Sequence, residues 1–171
     1  LFDDLGFSNE EIAFYDVGFG FIAFLLGIFF GGLLFSRLGL KRSVFISLVL
    51  MAVSNCSFAA LALIGKSNLG MAAAVGFENF ASGIGGVTVV AYLSALCNLR
   101  FTATQYALLS ALASIAGRVL TGTLAGGLII EIGYVGFYIL TTIIAAPGVI
   151  LFWYMIQKGL VDLNLNQEGK F

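Results

Sequence analysis

The sequence has no histidine, a single proline and two cysteines in 171 residues, and only 10% of its residues carry charge. Each shortage excludes something. Without histidine there is no His-dependent catalytic triad, no His–metal site and no His proton relay. Cys56 and Cys97 stand alone with no CxxC spacing, in or beside apolar stretches, and read as small packing residues. A net charge of −1 leaves no basic footprint for a nucleic-acid partner. No GxSxG and no pair of carboxylates on one apolar segment supports intramembrane catalysis. The chain offers no catalytic residue, no metal ligand set and no cofactor motif. Pro147, the lone proline, lies inside an apolar run, where it frees a carbonyl and bends a helix.

What the sequence holds in abundance is apolar residue. Hydrophobic residues make up 60% of it, against roughly 45–50% apolar and 25% charged in soluble domains. A water-soluble domain of this size could not cover so much apolar surface, so the chain reads as an all-α polytopic membrane protein. It opens on Leu, and no basic n-region or small-residue cleavage site precedes the first apolar run, which reads as an internal piece of a longer protein. Residues 1–16 form an acidic loop and a helix start. Ser8 and Glu11 have capping-box spacing, placing a helix start near Asn9. Five spans follow, at about 17–36, 44–64, 71–96, 105–130 and 134–156. GKSNLG (65–70) and EIG (131–133) are tight turns, Thr102 and Gln105 repeat the capping-box spacing, and residues 157–171 make a polar, loosely ordered tail.

Glycine is patterned for close packing. Gly27 and Gly31 have GxxxG spacing, Gly18, Gly20 and Gly32 add thin points, and Gly83, Gly85 and Gly86 thin the third span. Aromatic residues gather at both ends of the fifth span, Tyr134, Phe137 and Tyr138 against Phe152, Trp153 and Tyr154, as interface belts do. Arg37, Lys41, Arg42, Arg100 and Lys158 fall on one side of the membrane in strict alternation, with only Lys66 opposite. That side is cytoplasmic by the positive-inside rule. The acidic N-terminal segment, the Lys66 turn and Glu131 then face the periplasm or its equivalent, and the tail lies in the cytoplasm.

Two charges sit where they are costly. Glu78 interrupts the third span and Arg118 the fourth, and each costs at least ~2.5–3.5 kcal/mol in hydrocarbon. Counting about 1.5 Å per residue from each boundary puts both at a similar depth. Either they form a structural pair, or at least one faces a polar pathway, Glu78 exchanging protons and Arg118 holding an anionic part of a solute. Asn79, Tyr92, Gln105 and Tyr106 are the nearby groups able to bond hydroxyls or amides. Asn55, midway through the second span, needs a partner and serves as glue between helices or as a solute contact. Asp16, at the mouth of the first span, is a solvated interface charge or faces a polar pathway.

The run ENF, a glycine cluster, VAYLSALCNLRFTATQYALLSALAS and GRVLTGTLAGG (78–127) resembles the AmpG-type muropeptide permeases of the major facilitator superfamily. GLLFSRLGLKRS (32–43) is similar to the loop signature of that superfamily at Gly32, Arg37, Gly39, Lys41 and Arg42, with Ser36 where the usual pattern has aspartate. That departure removes the carboxylate of the motif's charge relay, and a positive-inside loop alone accounts for the three cations. The resemblance implies a twelve-span, proton-driven importer of anhydro-muropeptides in the bacterial inner membrane, with this chain as most of its second half. The five spans are then one short of the six-helix half, the missing helix lying upstream. The implied partners are a small polar, muropeptide-like solute, membrane lipid and the missing N-terminal half of the same transporter, and the implied energy source is a proton gradient. A permease for another polar solute and a non-transporting paralogue remain the alternatives.

Overall fold

A computed structural model of the chain describes residues 1–97 and 102–161, and for residue 102 and residues 116–124 the backbone alone. Every regular element among the described residues is helical. Helix α1 (Asn9–Ile12) runs through a π-helical stretch, Ala13–Phe19, into α2 (Gly20–Ile64), followed by α3 (Asn68–Leu96) and α4 (Thr102–Gln157). Three stretches are long and apolar enough to cross a membrane, Asn9–Ile64, Asn68–Leu96 and Ala125–Gln157, with a shorter apolar helix at Ala103–Ile115. The lengths follow from the composition. A backbone in hydrocarbon must bond to itself, and an unbroken apolar run does so as a helix.

Local chemistry sets the ends. Ser8 Oγ accepts from the Glu11 backbone N–H at 3.2 Å while Glu11 Oε2 accepts from the Ser8 N–H at 2.8 Å, the reciprocal cap its spacing predicts. Just before it, Gly6 at φ +82° closes a turn in which its N–H bonds to Asp3 O and the Phe7 N–H bonds to Phe2 O. The rings of Phe2 and Phe7 then meet edge to face at 6.3 Å, an apolar contact of the kind that closes glycine-ended turns. Ser67 caps α3, its Oγ accepting from the Gly70 N–H at 3.1 Å. Residue 159 ends α4 in the same way as residue 6, with Gly159 at φ +67°.

Two glycines break long helices. Gly39 (φ 73°, ψ 175°) divides α2, and Gly133 (φ 70°, ψ 172°) divides α4. This region of backbone space is essentially closed to side chains. The break in α4 falls there, while the helix continues through Pro147.

Contacts give the chain directions. The first arm of α2 meets α3 in ascending order, Gly20 against Asn79, Gly27 against Phe80 and Gly83, Gly31 against Ile84, so the two run parallel. The second arm meets α3 in descending order, Ser47 to Thr88, Met51 to Gly85 and Leu61 to Gly70, so α2 folds back on itself at Gly39. The arm of α4 after Gly133 runs antiparallel to that second arm, with Tyr138 stacked on Phe58 at 5.3 Å and Cys56 Sγ 3.5 Å from Thr142 Oγ1. Two apolar clusters hold the ends, one around Phe7, Leu61, Met71, Ala74 and Val75, the other around Val44, Phe152 and Val161. Between them Thr88 Oγ1 donates to Ser47 Oγ at 2.8 Å, a fully buried bond between helices.

Three expectations need correction. The tail does not leave the bundle at once, because Val161 is 2% exposed against Val44 and Phe152, although residues 162–171 lie outside the described residues. Cys56 is exposed rather than packed inside, and Cys97 is half-buried. Of the glycines expected to thin helices, Gly32 and Gly86 face open space, where an added Cβ meets nothing within 4 Å.

The closest approach predicts a contrast. A Cβ at Gly83 would lie 2.4 Å from Phe24 O and 2.8 Å from Ile28 N, both backbone atoms, whereas one at Gly86 is free. Gly83→Ala should lower stability by about 1–3 kcal/mol through overpacking, and Gly86→Ala should leave it unchanged. Unfolding midpoints in detergent check this, and equal midpoints for the two variants would refute the packing of α2 on α3.

Candidate functional site

The candidate polar site is built on α3. Glu78 lies ten residues into this helix, about 15 Å from its start and roughly a third of the way along it. Its side chain is half-buried. Ser82, one turn further along the same face, donates its hydroxyl to Glu78 Oε1 at 2.9 Å. No described cation forms an ion pair with it. Asn79 is half-buried beside it and donates Nδ2 to Val75 O at 3.0 Å. A Cβ at Gly20 would meet that Nδ2 at 2.9 Å, so the glycine is what lets the first arm of α2 close over Asn79. Gly76 admits the Phe19 ring in the same manner, with an added Cβ only 2.7 Å from it.

The other residues singled out in the sequence do not all gather there. Tyr92 lies fourteen residues along α3 from Glu78, about 21 Å, and packs edge-on against Phe152 at 5.6 Å in the apolar cluster at the far end. Asn55 is half-buried on the second arm of α2 and forms no hydrogen bond with a described residue. Gln105, exposed, and Tyr106, half-buried, lie in the first turns of α4. Arg118 is in α4 by its backbone, while its side chain, and with it the pairing to Glu78, lies outside the described residues, as does Arg100. Asp16 is exposed in the π-helical stretch. Of the loop signature, Gly39 makes the reversal, Arg37 and Arg42 are exposed and Lys41 is half-buried. Ser36 turns its hydroxyl back to Leu33 O at 2.9 Å.

Sequence reasoning missed Ser82. The signal was there, since positions four apart share a helix face and a hydroxyl at that spacing supplies a buried carboxylate with a donor. It also missed a clasp at the end opposite the cations. Lys66 Nζ lies 3.1 Å from Glu11 Oε2, donates to Gly6 O at 2.7 Å and sits over the Phe7 ring at 5.4 Å. At the same end the Tyr134 hydroxyl donates to Asp4 Oδ2. One ammonium thus ties the turn after α2 to the segment before α1.

Apolar helices of spanning length, turned by single glycines and carrying a half-buried carboxylate within one of them, define a multi-pass helical membrane protein. The chain belongs to the major facilitator superfamily, whose sequence model matches residues 1–169. It is 39% identical over 151 residues to the anhydromuropeptide permease of Escherichia coli (strain K12), which takes in 88% of this chain and 30% of that protein. It is 34% identical over 155 residues to a Rickettsia conorii protein named as transporter AmpG 4, covering 91% and 37% of the two chains. With the Rickettsia prowazekii protein named as transporter AmpG 3 it shares 30% identity over 168 residues, covering 98% and 40%. The chain spans between 30% and 40% of the length of these curated relatives. Its place is the bacterial inner membrane.

The clasp carries a pH prediction. The Ser8 N–H and then the Lys66 ammonium hold the Glu11 carboxyl below the usual carboxylate range. A depressed folded-state value means the stabilisation is complete above the unfolded value, about 4.3, and is lost as pH falls through the folded one. The unfolding midpoint should exceed that of Glu11→Gln at neutral pH, and the gap should close below about pH 4. A gap unchanged at pH 3 would mean that the charge of Glu11 plays no part.

Proposed function

We propose that the chain is part of the second half of a proton-coupled importer of anhydro-muropeptides, with Glu78 as the group that takes up and releases the proton. The single observation behind this is Glu78 itself, a half-buried carboxylate within the apolar helix α3 whose one bond among the described residues is to a hydroxyl. Intramembrane carboxylates of this kind mark substrate and proton pathways. A serine donor holds a carboxylate in place without fixing its charge, as a cation would. The cargo follows from the printed name of the Escherichia coli relative. The reading makes the chain a carrier rather than an enzyme.

Taking α3 and each arm of α2 and α4 as a span gives five, at about 17–36, 44–64, 71–96, 105–130 and 134–156. Residues 1–16 lie in the periplasm and 157–171 in the cytoplasm. The helix C-terminal turn at residues 2–7 supports a preceding helix, the sixth of this half. The remaining half of the transporter supplies the opposing wall of the cavity. Asn79 beside Glu78, and Arg118 on α4 at similar depth, contribute amide and cation to the solute; Asn55, Gln105 and Tyr106 line the approaches, and Tyr92 acts through packing.

Transport by the full-length protein in vesicles tests the assignment. Glu78→Gln should still exchange labelled anhydro-muropeptide across the membrane yet fail to accumulate it against a gradient, because an amide cannot cycle a proton. Full accumulation by Glu78→Gln would remove Glu78 as the coupling group. Recovery of fold and transport by Glu78→Gln with Arg118→Gln, after loss in each single variant, would show a structural pair instead.

Sidedness has its own test. Arg42 and Leu69 are exposed at opposite ends of the bundle, while the neighbouring Ser43 is fully buried and bonded to Gly39 O. With the native cysteines replaced, a membrane-impermeant thiol reagent should label Leu69→Cys only from the periplasm and Arg42→Cys only from the cytoplasm. Labelling of both from one side would overturn the topology.

A further inference from the structure

Between the two arms of α2 and α3 lies a groove of about 330 Å³. Phe30 and Leu34 from the first arm, Ile46 and Leu50 from the second, and Phe80 and Ile84 from α3 line it, and Arg37 is the sole charged residue among the described ones that line it. Arg37 stands seven residues beyond Phe30, about 10 Å along the helix. The groove therefore runs from a cation at the Gly39 end of the bundle towards the middle of the membrane, and it opens at the surface beside the exposed Phe30. Arg37 is itself exposed and makes no hydrogen bond or ion pair with a described residue. Ser36, which precedes it, has its hydroxyl committed to Leu33 O. The acidic residues that the structure describes are elsewhere. Asp3, Asp4, Glu10, Glu11 and Asp16 belong to the opposite end, Glu131 stands beside the other break, and Glu78 is in the first half of α3.

We propose that this groove binds an anionic glycerophospholipid of the surrounding bilayer, with an acyl chain among Leu34, Leu50 and Phe80 and the headgroup phosphate on Arg37. Charge complementarity selects this occupant. Arg37 presents a planar guanidinium suited to phosphate, and basic pockets between spans at the cytoplasmic boundary hold anionic headgroups. A zwitterionic lipid can give Arg37 the same phosphate, but it brings an ammonium of the same sign beside the guanidinium, so the net preference is for the lipid without it. The inference depends on the chain spanning the membrane and is independent of what the protein transports.

Native mass spectrometry of the full-length protein, titrated with phosphatidylglycerol or phosphatidylethanolamine, tests it. Arg37→Gln should weaken retention of phosphatidylglycerol about fivefold, the weight of one cation at an anionic membrane surface, and leave phosphatidylethanolamine nearly unchanged. Arg37→Lys should keep most of the preference. Arg42→Gln removes the same charge outside the groove and should change retention by less than about twofold. Equal losses for Arg37→Gln and Arg42→Gln would reduce the effect to general surface attraction and overturn the site. A photo-crosslinker at Leu34 should capture lipid in membranes. Capture of another polypeptide segment there would overturn the proposal equally.

Discussion

A peptide bond in hydrocarbon has no water to turn to, and each unpaired amide costs several kcal/mol. The whole architecture works within that constraint. Helices must run the full depth, so reversals have to be made in very few residues and helices must pack without the hydrophobic effect to press them together. Gly39 and Gly133 answer the first demand, each reversing or breaking a long helix at a single residue in a backbone region that other residues avoid. Gly27 and Gly83 answer the second, bringing the backbones of α2 and α3 close enough that a single methyl group would strike a carbonyl.

The same constraint shapes the site. A carboxylate can stay at the depth of Glu78 only if something donates to it, and Ser82 does so from within its own helix. That leaves the second oxygen without a partner among the described residues. The close seating of the first arm of α2 over Asn79 and Gly76 fixes the helix that carries Glu78. Polar bonds across the bundle are few among the described residues. The buried Thr88 to Ser47 bond stands between helices at one level, and the Lys66 clasp closes one end.

Much of this was legible in the residues, for reasons that are local. The Ser8–Glu11 cap and the turns at Gly39, Gly65 and Gly133 depend on chemistry within four residues, and spacing reveals that. GxxxG spacing named Gly27 and Gly31 as contact points, because period shows which residues share a face. It does not show what that face meets. Tyr92 was counted as a polar group near Glu78, yet its ring belongs with Phe152 about 21 Å further along. Val161 looked like tail and is core, since an apolar residue after a glycine stop can fold back on its own helix end. Lys66 looked like a stray cation on the wrong side, and its three contacts lie in residues 6–11, some sixty positions away in the chain.

The two glycine breaks have a consequence of their own. Their rotations agree within a few degrees, φ 73° and ψ 175° against φ 70° and ψ 172°. They nevertheless lie at opposite ends of the bundle, Gly39 near Val44 and Phe152, Gly133 next to the Tyr134 that bonds to Asp4. A bend of this shape carries no information about which surface it belongs to. What distinguishes the two is the company each keeps, Arg37, Lys41 and Arg42 around one and Glu131 beside the other. Direction across the membrane is written in charge, and the joints themselves are interchangeable.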